Sequence, residues 1–302
     1  MNFIKTALFV ALFASAGTSW AQVNIKTEYF SKSHYRYSDD DDGHRVGDSE
    51  GSAMVYQLAA KIPLSIKVEE DKKNIWGLTF NTAYAALNNH HFNQPLVIDE
   101  ITNMGVGVFN LRDLNDKWTL ISMLGVGVYA TSPNLDDLRG NQILLNTAAL
   151  FIRHINPNLD LGVGAAINNS FGYPMLFPAL YLKWTKEGKY TIDVSMLEGV
   201  DISVAYEASP KLKLSYVVAV DGQLAMVNEF DDEQMFTHQY IVTGFKPELK
   251  LGNHLSMPLV LGISAMRTAQ LNERKLKSLW VDATYYFGLS AYGSLGLTYN
   301  FE

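Results

Sequence analysis

The sequence predicts an all-β protein, an antiparallel transmembrane β-barrel of about 12 to 14 strands. Three observations point there: an apolar period of two that recurs from Val23 to the last residues, connections that are alternately short and long, and an exported chain without cysteine. Alternation between a greasy face and a charged face is what a strand shows when one side meets hydrocarbon or core and the other meets water. An exported chain can use disulfides; one with none needs another device, and a sheet closed on itself in a bilayer supplies it.

Residues 1–21 carry Lys5 near the start, run through Ala7, Leu8, Phe9, Val10, Ala11, Leu12 and Phe13, and close on Ser19, Trp20 and Ala21. A basic start, an apolar stretch too short to span, and small residues at minus three and minus one predict a signal peptide cleaved before Gln22. Residues 22–302 then form one outer-membrane β-barrel domain, and the expected location is the cell outer membrane. The formal charge of -7 excludes a nucleic-acid partner. A mean hydropathy of -0.01 excludes a helical membrane protein but suits strands whose two faces average out.

The first run sets the pattern. Val23, Ile25, Thr27, Tyr29, Ser31, Ser33, Tyr35 and Tyr37 fall on one face, and Asn24, Lys26, Glu28, Phe30, Lys32, His34 and Arg36 on the other. Ionisable groups at membrane depth must face water or one another, so Lys26, Glu28, Lys32, His34 and Arg36 are the candidate lumen residues. A structural ion-pair ladder filling the lumen is the alternative reading of the same face. Should Lys26, Lys32 and Arg36 line water, their field would favour anions.

Short connections follow at Glu69 to Asn74, Arg112 to Lys117, Ile155 to Asn158, Lys186 to Lys189, Ala208 to Lys211 and Leu251 to His254. Each is built from residues that set turn dihedrals or solvate freed backbone groups. Longer polar connections lie at Ser38 to Gly51, Asn88 to Glu100, Thr131 to Asn141, Gly222 to Thr237 and Arg267 to Lys277. A barrel in an outer membrane has this asymmetry of rims, which a soluble sandwich has no reason to show. Trp76, Trp118, Trp184, Tyr190 and Tyr206 all fall beside short turns, as a girdle at one headgroup level would.

Between the turns, large and small residues sort by parity. Trp76, Leu78, Phe80, Thr82 and Tyr84 oppose Gly77, Thr79, Asn81 and Ala83; Leu159, Leu161, Val163, Ala165 and Ile167 oppose Asp160, Gly162, Gly164, Ala166 and Asn168. Met104, Val106 and Val108 over Gly105 and Gly107, and Val126 and Val128 over Gly125 and Gly127, repeat it. Large outside and small inside predicts a filled or narrow lumen.

The last run, Ser290 to Glu302, sets Leu295, Leu297, Tyr299 and Phe301 over Gly296, Thr298 and Asn300. It looks like the closing strand of Gram-negative outer-membrane barrels, the element that their insertion machinery reads. With Ser52 to Ile62 and the Phe177, Pro178, Ala179, Leu180, Tyr181 segment, the chain resembles a family of outer-membrane β-barrel proteins of unassigned function. The resemblance implies a location, outer-membrane lipid and the barrel insertion machinery as partners, and no substrate.

The sequence holds about fifteen such runs, whereas bacterial single-chain barrels have an even number. Two places leave the count open: Lys189 to Glu207, one long strand or a hairpin at Glu198 and Gly199, and Leu276 to Phe287, joined onward through Gly288 and Leu289.

Other chemistry is thin. Asp39 to Asp42 with Gly43 has the residue types of a calcium loop, but with Gly43 sixth, Ser38 stands first and Ser49 twelfth, so the bidentate glutamate is missing. Solvated acidic loops are expected there, at Asp136 and Asp137, and at Asp231, Asp232 and Glu233. His90 and His91 lack ligand spacing, so neither metal nor cofactor is assigned. A lipid hydrolase needs serine, histidine and an orienting acid together. Ser31, Ser33 and His34 with Glu28 come nearest, yet Ser33 and His34 fall on opposite faces, so no catalytic residue is assigned and the chain is not read as an enzyme. A narrow pore or small-solute uptake protein leads, ahead of a structural or surface-interaction barrel and a lipid-modifying enzyme.

Overall fold

Residues with a period of two build long antiparallel strands, and these strands close into one barrel. The computed structural model describes residues 21–37, 44–92, 98–133, 138–170, 172, 174–196, 199–227, 234–274 and 285–301. The segments 39–43, 136–137 and 231–233, like residues 1–20 of the expected signal peptide, lie outside them.

In chain order the strands are β1 (Ala21–Tyr37), β2 (Arg45–Glu69), β3 (Lys72–His90), β4 (Glu100–Asn115), β5 (Trp118–Ala130), β6 (Ile143–Asn156), β7 (Leu159–Asn168) and β8 (Met175–Lys186). There follow β9 (Tyr190–Met196), β10 (Val200–Ser209), β11 (Leu212–Val227), β12 (Gln234–Lys250), β13 (Leu255–Arg267), β14 (Gln270–Glu273), β15 (Tyr285–Phe287) and β16 (Ser290–Phe301). Neighbours in sequence pair antiparallel up to β13, and β16 closes the ring between β13 and β1, running from Ala21 opposite Phe301 to Phe30 opposite Tyr292. Because β14 prolongs β13 along β12, and β15 leads into β16 along β1, the 16 runs make 14 barrel strands. Lys189 to Glu207 is a hairpin, with β9 and β10 paired across Gly199.

All six short turns join strands at the rim that holds Ala21 and Phe301. One two-residue turn, Glu70 and Asp71, has φ of 49° and 63°, the double left-handed geometry of a hairpin that matches strand twist. Outside, large apolar residues project from every wall, among them Leu78, Val106, Leu124, Leu145, Val163, Leu180, Val204, Tyr216, Phe245, Leu261 and Leu297. Trp76, Trp184, Tyr190 and Tyr206 are exposed on the same surface beside the short turns. Small inward residues let adjacent strands pack closely; a Cβ on Gly164 would sit 2.0 Å from the Ala149 carbonyl oxygen.

The alternation of β1 breaks midway. Pairing with β2 shifts between Phe30 and Ser33, and this bulge inverts the faces above it. Below it Lys26, Glu28 and Phe30 point inward; above it Ser33 and Tyr35 are the buried residues. His34 stands opposite Glu50, on the outward parity of β2, and Lys32 ion-pairs with Glu50 at that outer surface. Arg36, opposite Arg45, shares the outward parity. The expected lumen set is therefore corrected: Lys32, His34 and Arg36 belong to the outer face, because one extra residue in a strand flips every side chain beyond it.

The long-loop half is not hollow. β10 stops pairing with β11 at Val220, but β11 runs on to Val227, and β12 and β14 run with it. Freed from the wall, these three strand ends fold inward until β11 meets β4 and β5 across the lumen. Burial confirms it. Wall strands bury every second residue, whereas Ala225, Met226 and Val227 are all buried, as are Met235 and Phe236. A sheet buried on both faces lies inside, not around, the core. One face of this flap packs on Phe30, Tyr35, Leu87, Ile101 and Phe287, the other on Leu144, Tyr129, Met175 and Phe177.

Candidate functional site

The short-turn half of the lumen is polar on one wall. His154 Nδ1 lies 2.7 Å from Asp160, and the Thr119 hydroxyl donates to Asp113 at 2.6 Å while contacting His154 Nε2 at 2.9 Å. Asp160 stands opposite Lys183, Lys183 opposite Asp193, and Lys213 opposite Glu248, so the sign of charge alternates from strand to strand. Asp201 and Lys246 are electrostatic neighbours of the same group. Higher on β4 and β5 glycines pair across the strands, Gly105 opposite Gly127 and Gly107 opposite Gly125, and the side chains of Asn81, Thr79 and Asn146 lie over them.

Midway up, charge converges on Glu28, a fully buried carboxylate. The Tyr292 hydroxyl (2.6 Å) and Lys26 Nζ (2.8 Å) donate to Oε1, and the Tyr240 hydroxyl (2.9 Å) and Gln57 Nε2 (2.8 Å) donate to Oε2. Four donors fill the acceptor positions of an ionised carboxylate, which is how a buried charge is held. Asp221, where β11 turns inward, is 3.4 Å from Gln57 Nε2 and takes the Gly222 N–H at 2.7 Å.

Above this hub the flap is fastened by polar contacts. Asn103 on β4 accepts the Leu224 N–H at 3.2 Å and donates to the Leu224 carbonyl at 2.5 Å, replacing the ladder that β10 no longer supplies. Arg274 donates to the carbonyls of Ser170 (2.9 Å) and Asn169 (3.1 Å), and the Tyr35 hydroxyl to Ala269 (2.8 Å).

Of the residues singled out from sequence, Lys26 and Glu28 meet inside the lumen, while Lys32, His34 and Arg36 do not join them. Ser33 points inward and His34 outward. His90 ends β3 opposite Glu50, and His91 follows with φ of 59°. Sequence reasoning set Asp160 on the inward face without singling it out, and missed Lys183, Asp193, Asp201, Lys213, Lys246 and Glu248. The signal was there: Asp193 between Ile192 and Val194, Lys213 between Leu212 and Leu214, and Asp201 between Val200 and Ile202 are lone charges on an otherwise apolar period of two.

A family model described as a domain of unknown function, DUF6268, matches residues 18–300. No curated protein matches the chain. Among solved structures, the chain is similar to the COG4313 outer membrane channel from Pseudomonas putida F1, at 11% identity and a TM-score of 0.47, over 95% of this chain and 97% of that one. It is also similar to the transport unit of the autotransporter AIDA-I from Escherichia coli (9% identity, TM-score 0.44, 98% and 95% covered). A third is the Pseudomonas putida toluene transporter TodX (6% identity, TM-score 0.41, 95% and 90% covered). At such identities and scores they say nothing of what this chain carries.

Proposed function

Because the chain belongs to the DUF6268 family, whose description states no activity, we propose from its geometry alone that it is an outer-membrane barrel whose lumen is a gated conduit for small solutes. Apolar residues exposed around the whole barrel, with an aromatic rim beside the short turns, suit hydrocarbon and headgroups; a surface of that extent in water would aggregate. A lumen wall of alternating charges suits water. The observation that carries the reading is the flap. Its seat is polar at Asn103 and Arg274, where hydrogen bonds exchanged for water cost only about 0.5–1.5 kcal/mol each, while its apolar packing on Phe30, Ile101 and Leu144 keeps the closed state the populated one.

The test is conductance in planar bilayers. Wild-type protein should be mostly closed, with brief openings, and replacing residues 223–238 by a two-residue turn should give a steady conductance. If the trimmed barrel folds and remains silent at every voltage, the conduit reading fails. The filled lumen would then belong to a structural barrel, the reading that the aromatic packing of Phe30, Tyr240 and Tyr292 independently favours.

A further inference from the structure

At the root of the flap two buried groups keep polar atoms that meet no partner. Arg267 closes β13, opposite Tyr240 on β12 and Phe287 on β15, at the point where β14 departs from the wall. It is fully buried; Nη2 donates to the Gly51 carbonyl at 2.8 Å, but Nε and Nη1 meet no acceptor. The guanidinium carbon lies over the Phe287 ring, 3.9 Å from its centroid, a contact that answers none of the N–H donors. Among the described residues no carboxylate pairs with it, and Glu28 is committed to its four other donors.

His238, two residues from Tyr240 on the same inward face, is equally buried. Gln223 Nε2 is turned toward the Tyr240 oxygen at 3.3 Å, so Gln223 Oε1 takes the Nδ1 proton of His238 at 2.8 Å. Nε2 is left as a lone pair with no donor. Both groups border Phe30, at 5.8 Å for Arg267 and 5.9 Å for His238, and they are electrostatic neighbours. Buried charges and buried polar atoms are almost always satisfied, so a cation with two idle donors beside an idle acceptor calls for an explanation.

We propose that Arg267 and His238 form the recognition point for a small hydroxycarboxylate with an apolar body, the solute class of the conduit. The inference rests on the conduit reading and deepens it. Nε and Nη1 lie on different edges of the guanidinium, so one of them offers a charge-assisted donor to a carboxylate oxygen, and one fixed positive charge matches one negative charge. A phosphate would bring surplus acceptors and a second charge that nothing here answers. His238 Nε2 accepts from a hydroxyl beside the carboxylate. Phe30, Tyr35 and Phe287 pack with Phe236 of the closed flap, so an apolar body enters this site as that flap residue leaves it. Because the site lies where the flap leaves the wall, a ligand that satisfies these groups favours whichever flap position admits it.

Binding is measured by titration calorimetry on the folded barrel in detergent, with mandelate as probe and mandelamide, phenylacetate and inorganic phosphate as comparisons. Mandelate should bind saturably, about tenfold or more tighter than uncharged mandelamide or phosphate, and severalfold tighter than phenylacetate, which lacks the hydroxyl. Arg267→Gln should lose that preference for mandelate over mandelamide. Equal affinity for mandelate and mandelamide, or unchanged mandelate binding in Arg267→Gln, would overturn the proposal; equal affinity for phenylacetate would remove His238 from it. The wild-type comparison needs no variant, so a failure of Arg267→Gln to fold leaves the test standing. Detergent binding is also independent of conductance: a silent barrel that binds mandelate refutes the conduit and keeps the site, and a conducting barrel that ignores mandelate does the reverse.

Discussion

Removing the charge of Glu28 should weaken the barrel by an amount that depends on what replaces it. With Glu28→Gln one oxygen becomes an amide nitrogen, which can face either the Tyr292–Lys26 pair or the Tyr240–Gln57 pair. Facing Tyr240 and Gln57 is the better choice, because the tyrosine hydroxyl can turn a lone pair toward it and Gln57 can reverse its own amide. Lys26 keeps an acceptor but loses its counter-charge; its side chain is 31% exposed, so water supplies part of the loss. A charged hydrogen bond is worth about 1.5–3 kcal/mol, which sets the expected cost of Glu28→Gln. Glu28→Ala instead strands all four donors, and breaking a buried pair this way costs about 3–5 kcal/mol. Reversible urea unfolding from lipid vesicles, followed by tryptophan fluorescence, measures both. The reasoning is refuted if alanine and glutamine cost the same, or if both shift stability by less than about 1 kcal/mol, since Glu28 would then be held by solvent and not by these donors.

Leu297 is exposed on the outer surface opposite Ile25, so Leu297→Arg should cost about 2–4 kcal/mol near a bilayer midplane and lower the folding yield into vesicles. Gly296→Arg should act by crowding the lumen beside Pro258, whose Cγ would lie 3.0 Å from a new Cβ; equal tolerance at both positions would mean the register is off by one residue. Gly164→Ala, forced against the Ala149 carbonyl, should cost about 1–3 kcal/mol in the same unfolding assay, whereas Gly140→Ala, with nothing within 4 Å, should cost far less. Asn103→Leu removes both hydrogen bonds to Leu224 and should raise the frequency of openings in planar bilayers severalfold; an unchanged record would show that the flap is not held there. N-terminal sequencing of membrane-extracted protein should begin at Gln22, and recovery of Met1 in that fraction would overturn the cleavage assignment.

The lower half of the barrel could be read from sequence because a strand paired on both sides, with one apolar surface, leaves its period of two uninterrupted, as at Trp76 to Tyr84 and Leu159 to Asn168. The bulge in β1 could not. It depends on how Phe30 and Ser33 register against Ala53 and Gly51 of another strand, and nothing local to Ser31 or Lys32 announces it. That single residue moved Lys32, His34 and Arg36 out of the expected lumen set. The flap was hidden for a similar reason. Residues 222–237 are polar enough to resemble a loop, and only the early end of β10 at Val200 leaves β11 unsupported above Val220. Arg267 stood at the start of an expected loop, and its burial follows from the Phe287 and Tyr240 partners that only the closed ring brings to it.

The ring closes through residues from opposite ends of the chain: Gln22 bonds Asn300 at 2.9 Å across a separation of 278 positions. No partial product of synthesis can form that contact. Until β16 is present, β1 offers a bare edge, and every strand already paired ends in another, so the growing chain carries two open templates for self-association. Contacts this distant in sequence also assemble slowly, since the loop they close must be ordered before it yields any stabilisation. Deleting the last strand should therefore trap the chain kinetically, as an aggregating species rather than a smaller barrel.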